Sequence, residues 1–315
     1  MAAHLVYFKA PLYCLIRNDR GMERKPKRMR RIILAVLLVL SVAFMVAVWV
    51  VGGHLVAPAN RIVGPPPGDL LCEVVTIESE SGSSLAAWYL PNPASTATVI
   101  LLHPVRSDRR SMLDRARFLA EQDYDVLLID MQAHGESQGE NITIGHREKL
   151  DVVAAVDFVK QRQPNHRIGI DGWSLGGAAT LLASPLGVDA IVIESVYPSI
   201  SEAVYDRVAI RLGPLNHLVA PALLSQLKPR LGISPSDLRP IDFVGKVGCP
   251  LLVIAGDADA HTPLEETQQM FAEAAEPKRL VLFEGAAHED LLAFDRERYE
   301  AEIGGFFEDY LKETF

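Results

Sequence analysis

Gly172-Trp173-Ser174-Leu175-Gly176-Gly177 lies between an apolar run, Arg167–Asp171, and a stretch of helix-forming residues. A serine with glycine two places before and two places after suits a sharp strand-to-helix turn, where larger neighbours would collide and the hydroxyl is pushed out beyond the sheet. The helix that follows aims its unpaired first-turn N–H groups at the same spot, so Leu175 N–H is a candidate to stabilise an oxyanion. Such a serine attacks a carbonyl only if a base takes its proton and an acid orients the base. Two later loops supply both. The run Leu251–Ala255 leads into Gly256-Asp257-Ala258-Asp259-Ala260-His261-Thr262-Pro263, and Arg279–Phe283 leads into Glu284-Gly285-Ala286-Ala287-His288-Glu289-Asp290. His288 is the candidate base; Asp257 and Asp259 compete as the acid.

Those loops work together only if the runs before them are neighbouring parallel strands. Beyond residue 70, strand-like runs at Glu73–Glu78, Leu85–Tyr89, Thr98–His103, Asp125–Asp130, Arg167–Asp171, Ala190–Glu194, Leu251–Ala255 and Arg279–Phe283 are separated by helical stretches. The helices are expected at Ser111–Gln122, Lys149–Gln163, Leu175–Ala183, Leu264–Ala275 and Tyr299–Lys312. The first two strands have no helix between them and suit an antiparallel edge. The remainder predicts an α/β architecture: a mostly parallel eight-stranded sheet with helices on both faces. From about 196 to 244 the rhythm breaks into short helical runs, Ser201–Leu212 and His217–Leu227, punctuated by prolines. That insertion reads as a small helical cap over the site.

Here the sequence resembles the α/β-hydrolase family, in particular single-domain serine hydrolases with a G-x-x-D-x-x-x-P acid loop and a G-x-x-H base loop. The resemblance covers roughly residues 70–315. It implies Asp259 as the acid, through Gly256 to Pro263, and His288 as the base, through Gly285 to His288. Leu101-Leu102-His103-Pro104-Val105 resembles the segment whose N–H completes the oxyanion hole, with proline where glycine is usual. Pro104 removes one N–H, which leaves Val105 N–H as the second donor and His103 as a brace for the loop. Asp130-Met131-Gln132-Ala133-His134-Gly135-Glu136-Ser137 resembles a D-x-x-x-H-G-x-S turn in which His134 and Ser137 hold loop geometry. Glu289 and Asp290 are expected to begin a helix, where acids favour the dipole.

The N-terminal end is different in kind. Residues 1–31 carry nine basic and two acidic side chains, a net charge of +7, whereas the rest of the chain carries −16. An acidic body without a basic stripe argues against a nucleic-acid partner. Twenty residues without a charge, Ile32–Val51, follow the basic block. Their length matches the ~30 Å hydrocarbon core of a bilayer, and Trp49 falls at the far interface. The domain reading is therefore a basic cytoplasmic segment at 1–31, a transmembrane helix or uncleaved signal anchor at 32–51, a linker at 52–70 and a hydrolase domain at 71–315. The positive-inside rule puts the N-terminus in the cytoplasm and the hydrolase domain outside. Ala57-Pro58-Ala59 faintly resembles a cleavage site, but the apolar stretch exceeds the ~7–15 residues of a signal core, so an uncleaved anchor is preferred. Met22 and Met29 are alternative starts. Cys14 precedes the membrane; Cys72 and Cys249 follow it and are expected as free thiols, although that compartment would permit a bridge.

The expected function is hydrolysis of carboxylic esters through an acyl-enzyme on Ser174, with no cofactor or metal, acting on a small-molecule acyl substrate. The alternative on the same fold is an aminopeptidase or acyl-peptidase. It would need cap acids to bind an amine, and Glu202, Asp206, Asp237 and Asp242 are scattered along the sequence. The alternative of another class is a membrane-anchored interaction protein that has no catalysis.

Overall fold

The computed structural model describes residues 24–312. Residues 1–23 of the basic segment, with Cys14 and Met22, lie outside the described residues. The chain divides into two compact units, one ending at Ala47 and the other beginning at Val48.

The first unit is the apolar helix α1 (Arg24–Val56), whose last turns pass into the second unit. Between Ile32 and Val46 its large apolar side chains other than Phe44 are 51–66% exposed. A helix apolar on every side has no polar face to turn toward water, and Lys27–Val56 is long and apolar enough to cross a membrane. A second apolar stretch, Ile200–Leu231, has a much lower hydropathy of 1.2 against 3.0. It is broken at Gly213-Pro214 and folds as separate short helices.

The second unit has the α/β-hydrolase fold. Its strands are β1 (Ala59–Asn60), β2 (Glu73–Glu78), β3 (Ser84–Leu90), β4 (Ala97–Leu102), β5 (Asp125–Ile129), β6 (His134–Gly135), β7 (Arg167–Trp173), β8 (Ala190–Glu194), β9 (Leu251–Gly256) and β10 (Lys278–Phe283). Eight of them form one sheet in the order β10-β9-β8-β7-β4-β5-β3-β2. The β2–β3 and β3–β5 pairs are antiparallel and the rest parallel. The expected antiparallel edge is present. The helices are α2 (Leu113–Glu121), α3 (Glu148–Arg162), α4 (Leu175–Ala183), cap helices α5 (Ile200–Leu212), α6 (Asn216–Leu224), α7 (Leu227–Leu231) and α8 (Ile241–Val244), then α9 (Leu264–Glu273), α10 (Leu291–Phe294) and α11 (Arg296–Leu311).

Both sheet faces are covered, and side-chain alternation divides each strand between two cores. On β4, Ile100 and Leu102 join one core while Val99 and Leu101 join the other. β5 does the same with Leu127 and Ile129 against Val126 and Leu128. Cys72 and Cys249 are separate, half-buried free thiols.

The structure differs from the expected linker at 52–70. Helix α1 continues to Val56, and Ala59–Asn60 then pairs in parallel with His134–Gly135. Polar side chains reinforce this join: Asn60 Nδ2 donates to Ser137 O at 2.5 Å, and Glu136 accepts from the N–H groups of Val63 and Gly64 at 3.1 Å. Backbone groups that the sequence left to solvent are thus satisfied by the turn after β5.

One polar cluster is buried among the strand ends. Arg115 of α2 makes a two-pronged bond to Glu194 of β8, at 2.9 and 2.8 Å. Tyr299 of α11 donates to Glu194 at 2.6 Å and lies 3.0 Å from Asp171 of β7. Arg115 also reaches Asp290 at 3.0 Å, two residues past His288. Burial, then the charge of Glu194, raises the Asp171 carboxyl well above the usual range. Burial opposes ionisation of Glu194 too, but Arg115 outweighs it and holds that carboxyl low. The cluster therefore sets Arg115 against Glu194, with Asp290 at its half-buried edge. Removing the cation leaves a buried carboxylate unpaired, so Arg115→Met is expected to cost roughly 3–5 kcal/mol, measured by urea unfolding in detergent. A cost below about 1 kcal/mol would contradict this assignment.

Candidate active site

β7 lies between β4 and β8 at the middle of the sheet, and Ser174 is the residue that turns it into α4. Ser174 has φ 51° and ψ −104°, a conformation that side chains rarely adopt. Its N–H donates to Glu194 O at 2.8 Å, and its carbonyl accepts from Ala178 N–H at 2.9 Å. The glycines on either side are required by close approach. A Cβ at Gly172 would stand 2.6 Å from Gly177 N, and one at Gly176 would stand 2.3 Å from Leu102 O.

His288 arrives on the loop after β10. Its Nε2 is 3.5 Å from Ser174 Oγ, and its Nδ1 is 2.7 Å from Asp259 Oδ2. With the proton on Nδ1, the ring donates to Asp259 and can accept from the serine hydroxyl. The serine–histidine separation is at the long end for a hydrogen bond, as in many enzymes without substrate. Asp259 is only 3% exposed and is oriented by two more donors, His261 N–H at 2.7 Å and Thr262 N–H at 3.0 Å.

The competing acid, Asp257, is turned elsewhere: its Oδ1 accepts from Gly285 N–H at 2.7 Å and so braces the base loop from the side. The two loops also meet through Ala258 N–H and Ala286 O at 3.0 Å, a contact so close that a Cβ on Gly256 would stand 2.1 Å from that oxygen. The fold thus brings together Ser174, His288 and Asp259, and leaves Asp257 out of line.

Leu175 and Val105 both border a cavity that includes Ser174, of about 260 Å³ and lined mainly by apolar side chains such as Ile144, Ile200 and Leu227, with Arg106, Arg207, Gln226 and Arg230 also on its wall. Leu175 is the first residue of α4, so its N–H is one of the helix's free donors. His103 accepts from Met131 N–H at Nε2, 3.1 Å, and donates from Nδ1 to Pro104 O, 2.8 Å. It is therefore neutral and bridges the loop to the turn after β5. His134 packs on it with ring centroids 5.0 Å apart. Ser137 Oγ donates to Asp130 O and accepts from Ala86 N–H. Asp290 caps α10 as expected, while Glu289 accepts from Ala287 N–H.

Two features escaped the sequence. His261, read as a loop residue, stacks near the base with ring centroids 5.1 Å apart. Of the cap acids read as scattered, Asp206 meets Glu266 of α9, with Glu202 close enough to act on both; burial and then Asp206 push the Glu266 carboxyl up to about 8. Nothing in the spacing links residues 206 and 266, because they meet only when the cap closes over α9. Among the described residues no group of His, Cys, Asp and Glu is arranged to hold a metal.

Several known proteins resemble this chain in sequence or in fold. The sequence model of the serine aminopeptidase S33 family, a hydrolase family, matches residues 93–244. The chain is 26% identical over 244 residues to the uncharacterized protein YfhR of Escherichia coli K12, covering 74% of this chain and 78% of that protein. It is 29% identical over 221 residues to the uncharacterized protein Rv2307c of Mycobacterium tuberculosis, covering 69% and 72%. Among solved structures, the esterase PF2001 of Pyrococcus furiosus superposes with a TM-score of 0.69 at 24% identity, over 82% of this chain and 99% of that one. XC6422 of Xanthomonas campestris, described as an α/β serine hydrolase without a lid, gives 0.55 at 19% identity, over 80% and 100%. The fold is that of the α/β hydrolases, and the matches support a hydrolase.

Burial lowers His103 from its ordinary 6.5 to about 4. The folded chain then binds fewer protons at this residue than the unfolded chain between those values. Its contribution to stability is complete above about pH 6.5 and is lost as pH falls through about 4. His103→Asn is expected to flatten the acid limb of stability by up to about 1.4 kcal/mol per pH unit. Urea unfolding of both proteins at about pH 7 and about pH 5 reads this difference, and the carboxylates common to both cancel.

Proposed function

We propose that the protein is a serine hydrolase that cleaves carboxylic esters, with Ser174 as nucleophile, His288 as general base and acid, and Asp259 as the group that orients it. The observation that carries this reading is the continuous line Asp259–His288–Ser174, ending at the mouth of an apolar cavity. Ser174 Oγ attacks the ester carbon while its proton passes to His288 Nε2. Asp259 holds the resulting imidazolium, and the oxyanion sits against Leu175 N–H and Val105 N–H. As the tetrahedral intermediate collapses, the proton moves from His288 to the departing alkoxide oxygen, which leaves as the alcohol. Water, deprotonated by His288, then attacks the acyl-serine, and as this second intermediate collapses His288 returns the proton to Ser174 Oγ and the carboxylic acid is released. Nucleophile, base and oxyanion donors are all supplied by the chain, so the scheme needs no cofactor.

Aminopeptidase activity is the second reading, favoured by the Asp206–Glu266 pair and by the S33 match. An ester is preferred because the cavity wall includes the cations Arg106, Arg207 and Arg230 and no carboxylate, a poor surface for a substrate ammonium. The mode of attachment belongs to the same reading: α1 anchors the chain, with the N-terminus inside and the hydrolase unit outside.

Two experiments test this. A fluorophosphonate probe is expected to label the wild type and not Ser174→Ala. Labelling persists in Asp257→Asn and weakens strongly in Asp259→Asn, whose ester turnover falls on the order of 10³-fold or more. An unlabelled wild type would instead favour a non-catalytic interaction protein, and faster cleavage of aminoacyl anilides than of p-nitrophenyl esters would favour the peptidase. For orientation, a cysteine introduced at the 88%-exposed Leu71 is expected to react with an impermeant thiol reagent in sealed cells. Protection until lysis would reverse the topology.

A further inference from the structure

The cavity at Ser174 has a wall that a linker could not provide. Gly52 and Val56, from the last turns of α1, line it together with Leu224, Leu227 and Leu231 of the cap. This end of the helix is fastened on two sides. Gln226 of the cap donates to Val48 O at 2.9 Å and accepts from Arg230 Nε at 2.9 Å. Arg230 lies 3.8 Å from the Trp49 ring centroid and donates to Trp49 O. On the other side Arg106, next to Val105, donates to His54 O and Ala57 O at 3.1 Å, and Ile142 N–H donates to Val56 O at 2.9 Å. Gly52 permits this closeness, because a Cβ there would stand 2.3 Å from Gln226 Oε1.

We infer that the end of the membrane-type helix is a structural part of the acyl site, and that the substrate is an ester of a single fatty acyl chain whose length is set by Gly52 and Val56. The inference rests on the serine-esterase reading above and adds the substrate class to it. At about 260 Å³ the cavity falls near the bottom of the ~300–1,000 Å³ range of ligand sites, which suits one chain and not two. Its apolar side chains offer dispersion contacts along an alkyl chain, and the polar ones on its wall, Arg106, Arg207, Gln226 and Arg230, already donate to backbone carbonyls. A short acyl group would leave most of that lining without contact. Cleavage at Ala57-Pro58-Ala59 would remove the wall, so retention of the helix follows from the architecture of the site.

The test uses the full-length protein in detergent with p-nitrophenyl esters from acetate to palmitate, reading kcat/KM against chain length. The wild type is expected to prefer octanoate over butyrate by roughly tenfold or more, as apolar pockets discriminate by methylene. Val56→Trp and Gly52→Leu on the helix, and Leu224→Trp on the cap, are each expected to lower that ratio by about tenfold and move the optimum to shorter chains. Leu71→Trp, which adds an indole at an exposed position away from the cavity, leaves the ratio unchanged. If Gly52→Leu fails to fold, Val56→Trp and Leu224→Trp decide. A wild type that favours acetate, or a profile unmoved in variants that still label with fluorophosphonate, overturns the inference while the serine-hydrolase reading stands. A wild type that does not label removes both.

Discussion

The backbone at Ser174 is held where it would not rest by itself. A non-glycine residue at φ 51° costs free energy of order 1–3 kcal/mol, and the surroundings must supply it. They do so through the bond from Ser174 N–H to Glu194 O, the first turn of α4, and two glycines pressed against neighbouring backbone. Every proposed catalytic feature depends on that bend. It sets the hydroxyl beyond the strand end, points the α4 N-terminus at the same place, and fixes where an imidazole must come to meet it.

The carboxylate of Glu194 ties this bend to more distant elements. The residue whose carbonyl receives the serine N–H also receives Arg115, and Arg115 reaches Asp290 just past His288. Nucleophile strand and base loop are thus connected through one buried cation. Such a network is costly to half-complete, which explains why Tyr299 bonds both Glu194 and Asp171. On the opposite side of the site, His103 plays a comparable part by joining the loop of Val105 to the turn that receives β1.

Much of this was legible in the sequence because it depends on local pattern. Apolar strand runs separated by amphipathic stretches gave the eight-stranded sheet and its antiparallel edge. Glycine spacing gave the bend at Ser174, and loop position marked His288 and two competing acids; the resemblance to the α/β-hydrolase family singled out Asp259, which the fold brings to 2.7 Å from His288. What escaped depends on contacts between residues far apart in the chain. Arg115 and Glu194 are separated by 79 positions, Gln226 and Val48 by 178. Asp206 and Glu266 were two acids among many until the cap folded over α9. Residues 52–56 read as linker, whereas their two glycines are what let Gln226 and Arg230 pack against the helix.

The most direct measurement is of the covalent intermediate. Rapid acid quench during turnover of p-nitrophenyl octanoate, followed by peptide mass spectrometry, should find one octanoyl group per chain on Ser174, decaying once substrate is exhausted. Steady consumption of the ester with Ser174 unmodified, or with the acyl group on another residue, would contradict the account.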